Sequence, residues 1–428
     1  MHSISTALQQ IAQQLRAEFP VSPGVRRFAV SVSLNQTDPL AWLASQPVYP
    51  QFYWQQRNGD EEVAALGASR LFSTFDAAQT FLANHADASL RVWGLNAFDT
   101  ERSALFLPRL EWRRHGGSVT LALTVCSDHS LADDARAALA FIGALTPGEP
   151  LPGAPLDCTG ERHFPDRAGW TQLINQATDA IAAGQFEKVV AARASDLQFS
   201  SPVSAAAFMA ASRRVNLHCY HYFMAFAPDD AFLGSSPERL WRRIDSALRT
   251  EALAGTVANH PDEAKAQALG DWLMKDDKNQ RENMLVVEDI CQRLQNAVNS
   301  LDVLPPQIVR LRKVQHLRRC IWTELHQPDD SLCLHQLQPT AAVAGLPREP
   351  ARQFIATHES FVREWYAGSA GYLSLKQTEF CVALRCARVT RQTVRLYAGA
   401  GIVAGSQPDE EWQEITNKAA GLRTLLVS

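Results

Sequence analysis

Three glutamates have the spacing expected of a site for a hard cation. Glu411 and Glu414 lie three positions apart in a segment with helical periodicity, residues 408–426, so both carboxylates would project from one side of that helix. Glu282 lies near the start of another predicted helix, residues 279–298. Carboxylates from two helices can bind Mg²⁺ through oxygen ligands and water. The same spacing is also common on solvated helix faces, so a cation site and a surface face both remain open.

Lys188 and Glu238 are candidates for proton transfer. Lys188 lies in a predicted strand, residues 186–199, where a lysine is usually a surface or edge charge. If it is desolvated, it could instead act as a base. Glu238 ends the segment Ser235–Glu238, which also fits a helix start with serine as the cap and proline in the first turn. The alternative is a carboxyl group at the end of a strand, protonated by burial and able to donate a proton.

Two glycine-containing segments and two cations could contact an anion. At Gly255-Thr256 and at Gly399-Ala400-Gly401, backbone N–H groups could approach a ligand, although each segment is also an ordinary turn. Arg385, in a predicted strand, could hold a carboxylate through two hydrogen bonds. Lys418 follows Glu414 by one helical turn and could simply pair with it. The sequence has no dinucleotide fingerprint, phosphate loop, zinc-ligand spacing or nucleophile elbow.

The elements that must position these residues are helices and strands in mixed order. The first 20 residues have amphipathic helical spacing, and residues 51–66 and 104–125 are each typical of a hairpin. Residues 146–155, with four prolines and two glycines, form the clearest break in the chain. The pattern predicts an α/β or α+β fold with antiparallel sheet.

Composition excludes several classes of protein. The 428 residues carry a formal net charge of −4, and the basic residues are scattered, so we expect no nucleic-acid partner. The longest apolar runs are far shorter than the ~20 residues of a membrane span, and the N-terminus lacks a signal peptide pattern. The eight cysteines form no CxxC pair, which is typical of reduced thiols in the cytoplasm.

Taken in order, these motifs resemble the chorismate-utilising enzymes, which include anthranilate synthase component I, aminodeoxychorismate synthase, salicylate synthase and isochorismate synthase. The resemblance runs from Trp170 to the C-terminus. Over the whole chain, including Tyr49–Asp60, it is strongest to the isochorismate synthases of menaquinone biosynthesis. The motifs that carry it are Glu187–Arg193, Gly234–Arg239, Ala254–Thr256, Asp276–Glu282 with Met284–Val286, Gln338–Thr340, Tyr366–Gly368, Gly399–Ile402 and Glu411–Lys418.

The resemblance implies a chorismate-binding fold, in which antiparallel β-sheets pack together with helices outside. It implies one large domain over residues 1–428, with a β-rich lobe at 1–150 and a catalytic region at 160–428. The break at 146–155 would then be a crossing between lobes.

The resemblance also implies a role for each candidate residue in turning chorismate into isochorismate. Glu282 and Glu414 match ligands of Mg²⁺, and Glu411 lies close to them. Lys188 matches the base that activates water, and Glu238 matches the acid that protonates the departing hydroxyl. The positions matched to substrate binding are Gly255, Thr256, Ala342, Tyr366, Arg385, Gly399, Gly401 and Lys418.

Two positions favour water over ammonia as the nucleophile. Amine-transferring relatives commonly lack a lysine at position 188, and aminodeoxychorismate synthases carry a lysine where this chain has Ala254. We therefore expect no glutamine amidotransferase subunit. The unpaired cysteines predict a cytoplasmic protein, and the sequence has no coiled-coil pattern or large apolar stripe, which favours a monomer. The alternatives are a salicylate synthase, a siderophore-pathway isochorismate synthase and a non-catalytic chorismate-binding protein.

Overall fold

The computed structural model describes residues 3–33, 38–153 and 157–427. In these residues the helices are α1 (Ile4–Leu15), α2 (Pro39–Ala44), α3 (Phe75–His85), α4 (Leu131–Gly143), α5 (Arg167–Ala182), α6 (Ala205–Val215), α7 (Glu263–Lys275), α8 (Asp277–Leu294), α9 (Asp330–Leu337), α10 (Arg348–His358) and α11 (Pro408–Arg423). The strands are β1 (Gly24–Val32), β2 (Gln51–Gln55), β3 (Glu61–Phe72), β4 (Val92–Asn96), β5 (Ser103–His115), β6 (Ser118–Ser127), β7 (Cys158–Phe164), β8 (Lys188–Phe199), β9 (Tyr220–Ala227), β10 (Asp230–Ser236), β11 (Arg239–Ile244), β12 (Ala247–Ala258), β13 (Val298–Val303), β14 (Gln307–Arg310), β15 (Val314–Leu325), β16 (Gly345–Leu346), β17 (Ser369–Leu373), β18 (Gln377–Val382), β19 (Cys386–Thr390) and β20 (Thr393–Ile402).

The strands pair antiparallel and form two arms that share β5. The first arm runs β1–β6–β5–β3–β2–β9–β10–β19–β20–β8–β7. The second leaves β5 through β4–β17–β18–β11–β12–β15. Strands from both sides of the Pro-rich break therefore belong to one hydrogen-bonded ladder. The prediction of a mixed fold with antiparallel sheet is confirmed.

A core rich in aromatic residues fills the space where the two arms face each other. Trp54 of β2 and Trp93 of β4 are fully buried there beside Tyr220 and Tyr372. The ring centroids of Trp93 and Tyr372 are 4.7 Å apart, and those of Trp54 and Tyr220 are 5.2 Å apart. Large rings at such separations contribute packing beyond the area they bury, so this core holds the arms in a fixed relation.

Helices cover the outer faces of the arms. One layer, formed by α1, α2, α4 and α6, buries its apolar stripes against the first arm. A second layer, formed by α5, α10 and α11, packs on β8 and β20. Helix α8 packs instead on β12 and β15, with its apolar face in the aromatic core. In the described residues no helix is both long and apolar enough to span a membrane.

The structure confirms most of the predicted elements and corrects some. Both predicted hairpins are present, as β2–β3 around Asn58-Gly59 and as β5–β6. The helix predicted over 279–298 is α8, but it ends at Leu294 because Val298 already pairs in β13. The predicted break at 146–155 lies between α4 and β7, and its last two residues are outside the described residues.

The structure decides between two open interpretations at Ser235–Glu238 and corrects the placement of Arg385. Ser235–Glu238 does not start a helix: β10 ends at Ser236 and β11 begins at Arg239, because the chain passes here from one arm of the sheet to the other. Arg385 does not lie within a strand, because β18 ends at Val382 and β19 begins at Cys386. Its φ of +47° puts it in the left-handed region, which is uncommon for a residue other than glycine.

Candidate active site

One pocket contains most of the residues singled out from the sequence. It lies where β8, β12, β15 and β20 meet α8 and α11, near the crossing between the two sheet arms. Ten of the predicted residues line it: Glu238, Gly255, Thr256, Glu282, Ala342, Tyr366, Arg385, Gly399, Gly401 and Lys418. The other three predicted residues lie just behind this lining, where each contacts a charged neighbour: Lys188, Glu411 and Glu414.

The two glycines of β20 are required by the space around them. A Cβ atom at Gly401 would overlap the Glu282 carboxylate and would lie 2.7 Å from Cε of Lys188. At Gly399 it would lie 2.6 Å from the hydroxyl of Tyr366. These glycines therefore allow functional side chains to approach the strand closely, whereas the sequence had suggested an approach of backbone N–H groups to an anion.

Lys188 is a buried cation at the first position of β8. Its side chain is 0% exposed, and Nζ lies 3.3 Å from Oε1 of Glu282. The contact has ion-pair distance, but among the described residues Nζ makes no hydrogen bond of good geometry. The surface-charge interpretation of Lys188 is therefore excluded. Glu282 is its ion-pair partner, so a change at Glu282 would act directly on the surroundings of the amine.

Glu238 lies at the crossing between the sheet arms and is 2% exposed. Its pKa is raised to about 8; burial is the largest cause, the nearby carboxylate of Glu251 adds to it, and Arg385, Lys188 and Lys418 oppose the shift. A carboxyl group in this environment is protonated at neutral pH and can donate a proton. This supports the second of the two interpretations that the sequence left open.

The guanidinium of Arg385 is oriented by a histidine that the sequence analysis missed. Its NH2 group lies 2.6 Å from Nε2 of His316, and since a guanidinium only donates, Nε2 must accept. Nδ1 then carries the proton and donates to the carbonyl of Gly255 at 3.2 Å; it also lies 3.1 Å from the hydroxyl of Thr256. Burial, helped by Arg385 and Lys418, lowers the pKa of His316 well below its usual value, so the ring is neutral.

Each of the three candidate metal ligands has a lysine partner. Glu282 pairs with Lys188 at 3.3 Å, Glu411 with Lys278 at 3.5 Å, and Glu414 with Lys418 at 3.1 Å. Lys418 also donates to the carbonyl of Gly399 at 2.8 Å, which holds it at the pocket wall. Three glutamates from two helices thus lie close to the pocket, with Glu282 in its lining.

These carboxylates repel one another. The pKa of Glu411 is raised to about 8; burial is the largest cause, Glu414 and Glu282 add to it, and Lys278 and Lys418 oppose the shift. The Asp276 side chain accepts a hydrogen bond from the backbone N–H of Asn279 and caps α8, which directs the following turn with Glu282 toward the pocket. Repulsion between fixed carboxylates is the condition that a bound cation relieves.

The donor set fits a magnesium ion better than a metal that needs a complete protein cage. No three His, Cys, Asp or Glu side chains in the described residues converge closely enough to hold a metal by themselves. Mg²⁺ commonly takes only one or two protein carboxylates and completes its octahedron with water and substrate oxygens. Glu282 and Glu414 would supply the two carboxylate ligands, and Glu411 lies close enough to interact with both.

A larger and more open cleft elsewhere on the molecule is less suited to an anionic substrate. It lies beside the β2–β3 turn and is lined by four arginines, but three are already paired with carboxylates: Arg57 with Glu251, Arg239 with Glu379 and Arg310 with Glu263. In the smaller pocket Arg385 is bonded to a neutral histidine instead, so its charge remains available to a ligand.

Comparison with known proteins gives a family match over nearly the whole chain. Residues 23–427 match the family model described as chorismate binding enzyme. The chain is 66% identical over 428 residues to isochorismate synthase MenF of Escherichia coli (strain K12), covering 100% of this chain and 99% of that protein. It is 39% identical over 428 residues to isochorismate synthase MenF of Haemophilus influenzae, covering 99% and 97%.

The fold matches a solved structure equally well. The structure of MenF, the menaquinone-specific isochorismate synthase from Escherichia coli, superposes with a TM-score of 0.97 at 66% identity, covering 99% of this chain and 100% of that chain. The arrangement of sheet arms and helices described above is therefore that of a chorismate-binding enzyme.

Proposed function

Because this chain belongs to the chorismate-binding enzymes, we propose that it is an isochorismate synthase that converts chorismate to isochorismate for menaquinone biosynthesis. One observation carries the proposal: a buried glutamate with a raised pKa and an arginine line one pocket, and a buried lysine lies directly behind Glu282 of the same lining. The full-length relative at 66% identity is named isochorismate synthase, and its structure is described as menaquinone-specific.

The proposed reaction removes the hydroxyl group at C4 of the substrate ring and adds a new hydroxyl group, from water, at C2. A water oxygen bonds to C2, the ring double bonds shift, and the bond between C4 and its oxygen breaks. Lys188 takes a proton from the attacking water, and Glu238 gives one to the departing hydroxide, which leaves as water. A proton then returns from Lys188 to Glu238 through solvent, so the net change is an isomerisation. General acid and base assistance contribute ~10²–10⁴-fold each.

The pocket's cations provide for a substrate with two carboxylates. Arg385 is held by His316, and Lys418 is held by the carbonyl of Gly399; both side chains line the pocket. The guanidinium can bind a carboxylate through two hydrogen bonds. Together these two side chains would fix the ring between Lys188 and Glu238.

We propose Mg²⁺ as the cofactor, held by Glu282 and Glu414 with Glu411 beside them. When bound, the ion acts as a Lewis acid toward the ring carboxylate and offsets its charge. If Glu282 bound the cation, Lys188 would lose its anionic partner. A lysine without such a partner gives up its proton more readily, as a base must. The support is the donor set and the mutual repulsion of the glutamates.

We also propose that the enzyme works in the cytoplasm as a monomer, without an amidotransferase subunit. All eight cysteines are free thiols, the form that a reducing compartment maintains. Ala254, rather than a lysine, precedes Gly255 at the pocket wall, so no amine from the chain reaches the substrate there. Size-exclusion chromatography with light scattering tests the monomer, and added ammonium salts test for aminated products.

Incubation of the purified protein with chorismate and Mg²⁺, with products separated by chromatography, tests the proposed function. Isochorismate as the sole product is expected. Stoichiometric pyruvate with salicylate would identify a lyase instead, and no turnover at all would return the protein to a non-catalytic binding role.

A further inference from the structure

The hairpin segment Tyr49–Asp60 resembles its counterpart in relatives, but neither the pocket nor the proposed chemistry uses it. Its turn, between β2 and β3, directs Arg57 into the protein, where the side chain is only 14% exposed. The guanidinium carbon lies 5.3 Å from the centre of the Tyr220 ring. NH1 and NH2 donate to the two carboxylate oxygens of Glu251 at 2.8 and 2.9 Å. Glu251, in β12, is 1% exposed at its side chain, so this is a buried bidentate ion pair.

The pair lies against the point where the sheet ladder is interrupted. β10 pairs with β9 and β19, whereas β11 pairs with β12 and β18, so Pro237 and Glu238 cross between arms without a regular ladder. Backbone groups in such a crossing need other partners, because buried N–H and C=O groups are rarely left unpaired.

Arg57 and Glu251 supply those partners on both sides of Glu238. NH1 of Arg57 also donates to the carbonyl of Pro237 at 2.7 Å. The backbone N–H of Arg239 donates to Oε2 of Glu251 at 3.3 Å. The residues before and after Glu238 are thus held by the two members of one ion pair, one from the N-terminal hairpin and one from β12.

We propose that Arg57 and Glu251 are a positioning pair for Glu238, so that the N-terminal hairpin sets the place from which the acid donates its proton. The inference rests on the proposed function, because it assigns Glu238 the acid's role. Neither Arg57 nor Glu251 lines the candidate active-site pocket, so the pair acts through Glu238 and not on the substrate.

Electrostatics gives the pair a second effect on the same residue. The charged groups that face Glu238 are Glu251, Arg385, Lys188 and Lys418, and Glu251 is the anionic one among them. Although burial alone would raise it, the Arg57 guanidinium holds the pKa of Glu251 below its usual range, so Glu251 is ionised. A fixed negative charge beside Glu238 favours its protonated form.

The test uses Arg57→Met, Glu251→Gln and the double variant, compared with the unmodified enzyme. The double variant removes both charges together, so it leaves no buried charge without a partner if Arg57→Met alone does not fold. Arg114→Met is the matched control: Arg114 also contacts the hairpin, donating to the Gly59 carbonyl at 3.2 Å, but it does not touch residues 237–239. We expect kcat to fall about 10- to 100-fold with KM changed less than about threefold, the pattern of a displaced catalytic group. The control should retain kcat.

Two readouts separate positioning from general structural damage. In a Glu238→Gln background, Arg57→Met and the double variant should cause no further fall in kcat, because the group being positioned is already absent. In Glu251→Gln, the high-pH limb of the kcat profile should move to lower pH, because the anion that favours protonated Glu238 is gone. Unchanged kcat in the folded variants, losses that multiply in the Glu238→Gln background, or an unmoved limb would each overturn the proposal. A wild-type protein that makes no isochorismate would instead defeat the proposed function.

Discussion

Glu238 and Glu411 are both buried glutamates with a pKa raised to about 8, yet the charged groups around them differ. Burial is the largest cause of the raised pKa of Glu238, and the next is the carboxylate of Glu251, which is paired with Arg57. Three cations also face Glu238. The pKa of Glu411 is raised by burial and by the two other glutamates of its own cluster. The first environment is fixed by protein groups, whereas the second would change when a cation binds.

One residue type can therefore serve two functions, according to the groups around it. A carboxyl group whose repelling partner is permanent keeps its proton and can donate it. In a cluster of carboxyl groups that repel one another, a bound metal ion offsets the repulsion and displaces the protons. We therefore propose that Glu238 donates the proton and that the glutamate cluster binds the cation.

Removal of the metal should have the largest effect. Treatment with EDTA is expected to abolish turnover, and excess Mg²⁺ is expected to restore it, because the glutamate cluster would lose its cation. Isothermal titration calorimetry of the metal-free protein should show Mg²⁺ binding accompanied by proton release. Full activity in EDTA would show that the cluster is not a metal site and would remove one side of the comparison.

Glu414→Ala should reproduce that loss through the protein. Glu414 makes a partly buried i, i+4 pair with Lys418, with 24% of its side chain accessible, and Lys418 keeps its hydrogen bond to Gly399, so the loss in the free energy of unfolding should be about 1 kcal/mol or less. Activity should be lost while thermal unfolding hardly changes. Glu410→Ala, in the same helical turn but outside the cluster, is the control and should retain activity. Wild-type turnover in Glu414→Ala would contradict the assignment.

Lys188→Met tests the group that faces both Glu238 and Glu282. The substitution keeps the length of the buried side chain and removes the amine, so kcat should fall ~10²-fold or more if Lys188 activates water. Circular dichroism and the unfolding midpoint establish that the variant is folded. A folded variant with near-normal kcat would mean that the lysine only balances the charge of Glu282.

Glu238→Gln removes the proton and keeps the shape of the side chain. We expect kcat to fall ~10²-fold while KM changes little, because only the transition state uses the proton. Its Mg²⁺ affinity should equal that of the wild type, which sharpens the contrast with Glu414→Ala. If the variant instead lost Mg²⁺ binding, Glu238 and the glutamate cluster would not be functionally separate.

His316→Leu should have the smallest effect. It removes the acceptor that orients Arg385, so KM should rise about tenfold with a smaller change in kcat, as expected for loss of a hydrogen bond to a charged group. His316→Gln retains an acceptor and should fall between Leu and wild type. A change confined to kcat in both variants would give His316 a role beyond holding Arg385.

Sequence analysis predicted the composition of the pocket better than the way its parts are held. The glycines at 399 and 401 and the arginine at 385 could be assigned because resemblance fixes residue types at positions in a motif. The sequence left a helix start and a strand end both open for Ser235–Glu238, because proline after serine fits a helix cap and a strand crossing equally well. Only the pairing of β10 and β11 with different arms distinguishes them.

Long-range partners were the part that local patterns could not reveal. His316 lies inside β15, 69 positions before Arg385, where a histidine in a strand gives no signal of its own. Arg57 lies 194 positions before Glu251, and their contact depends on how the β2–β3 hairpin reaches across to β12. Spacing rules describe neighbours along one element, so pairs that form only through sheet topology must be read from the structure.

The origin of the new hydroxyl oxygen tests the central claim most directly. Chorismate should be incubated with the enzyme and Mg²⁺ in oxygen-18 water, and the product analysed by mass spectrometry with fragment assignment. The account predicts isochorismate with one heavy oxygen at the C2 hydroxyl, with neither pyruvate nor salicylate formed. A C2 hydroxyl without label would contradict water addition by this site, whatever the variants show.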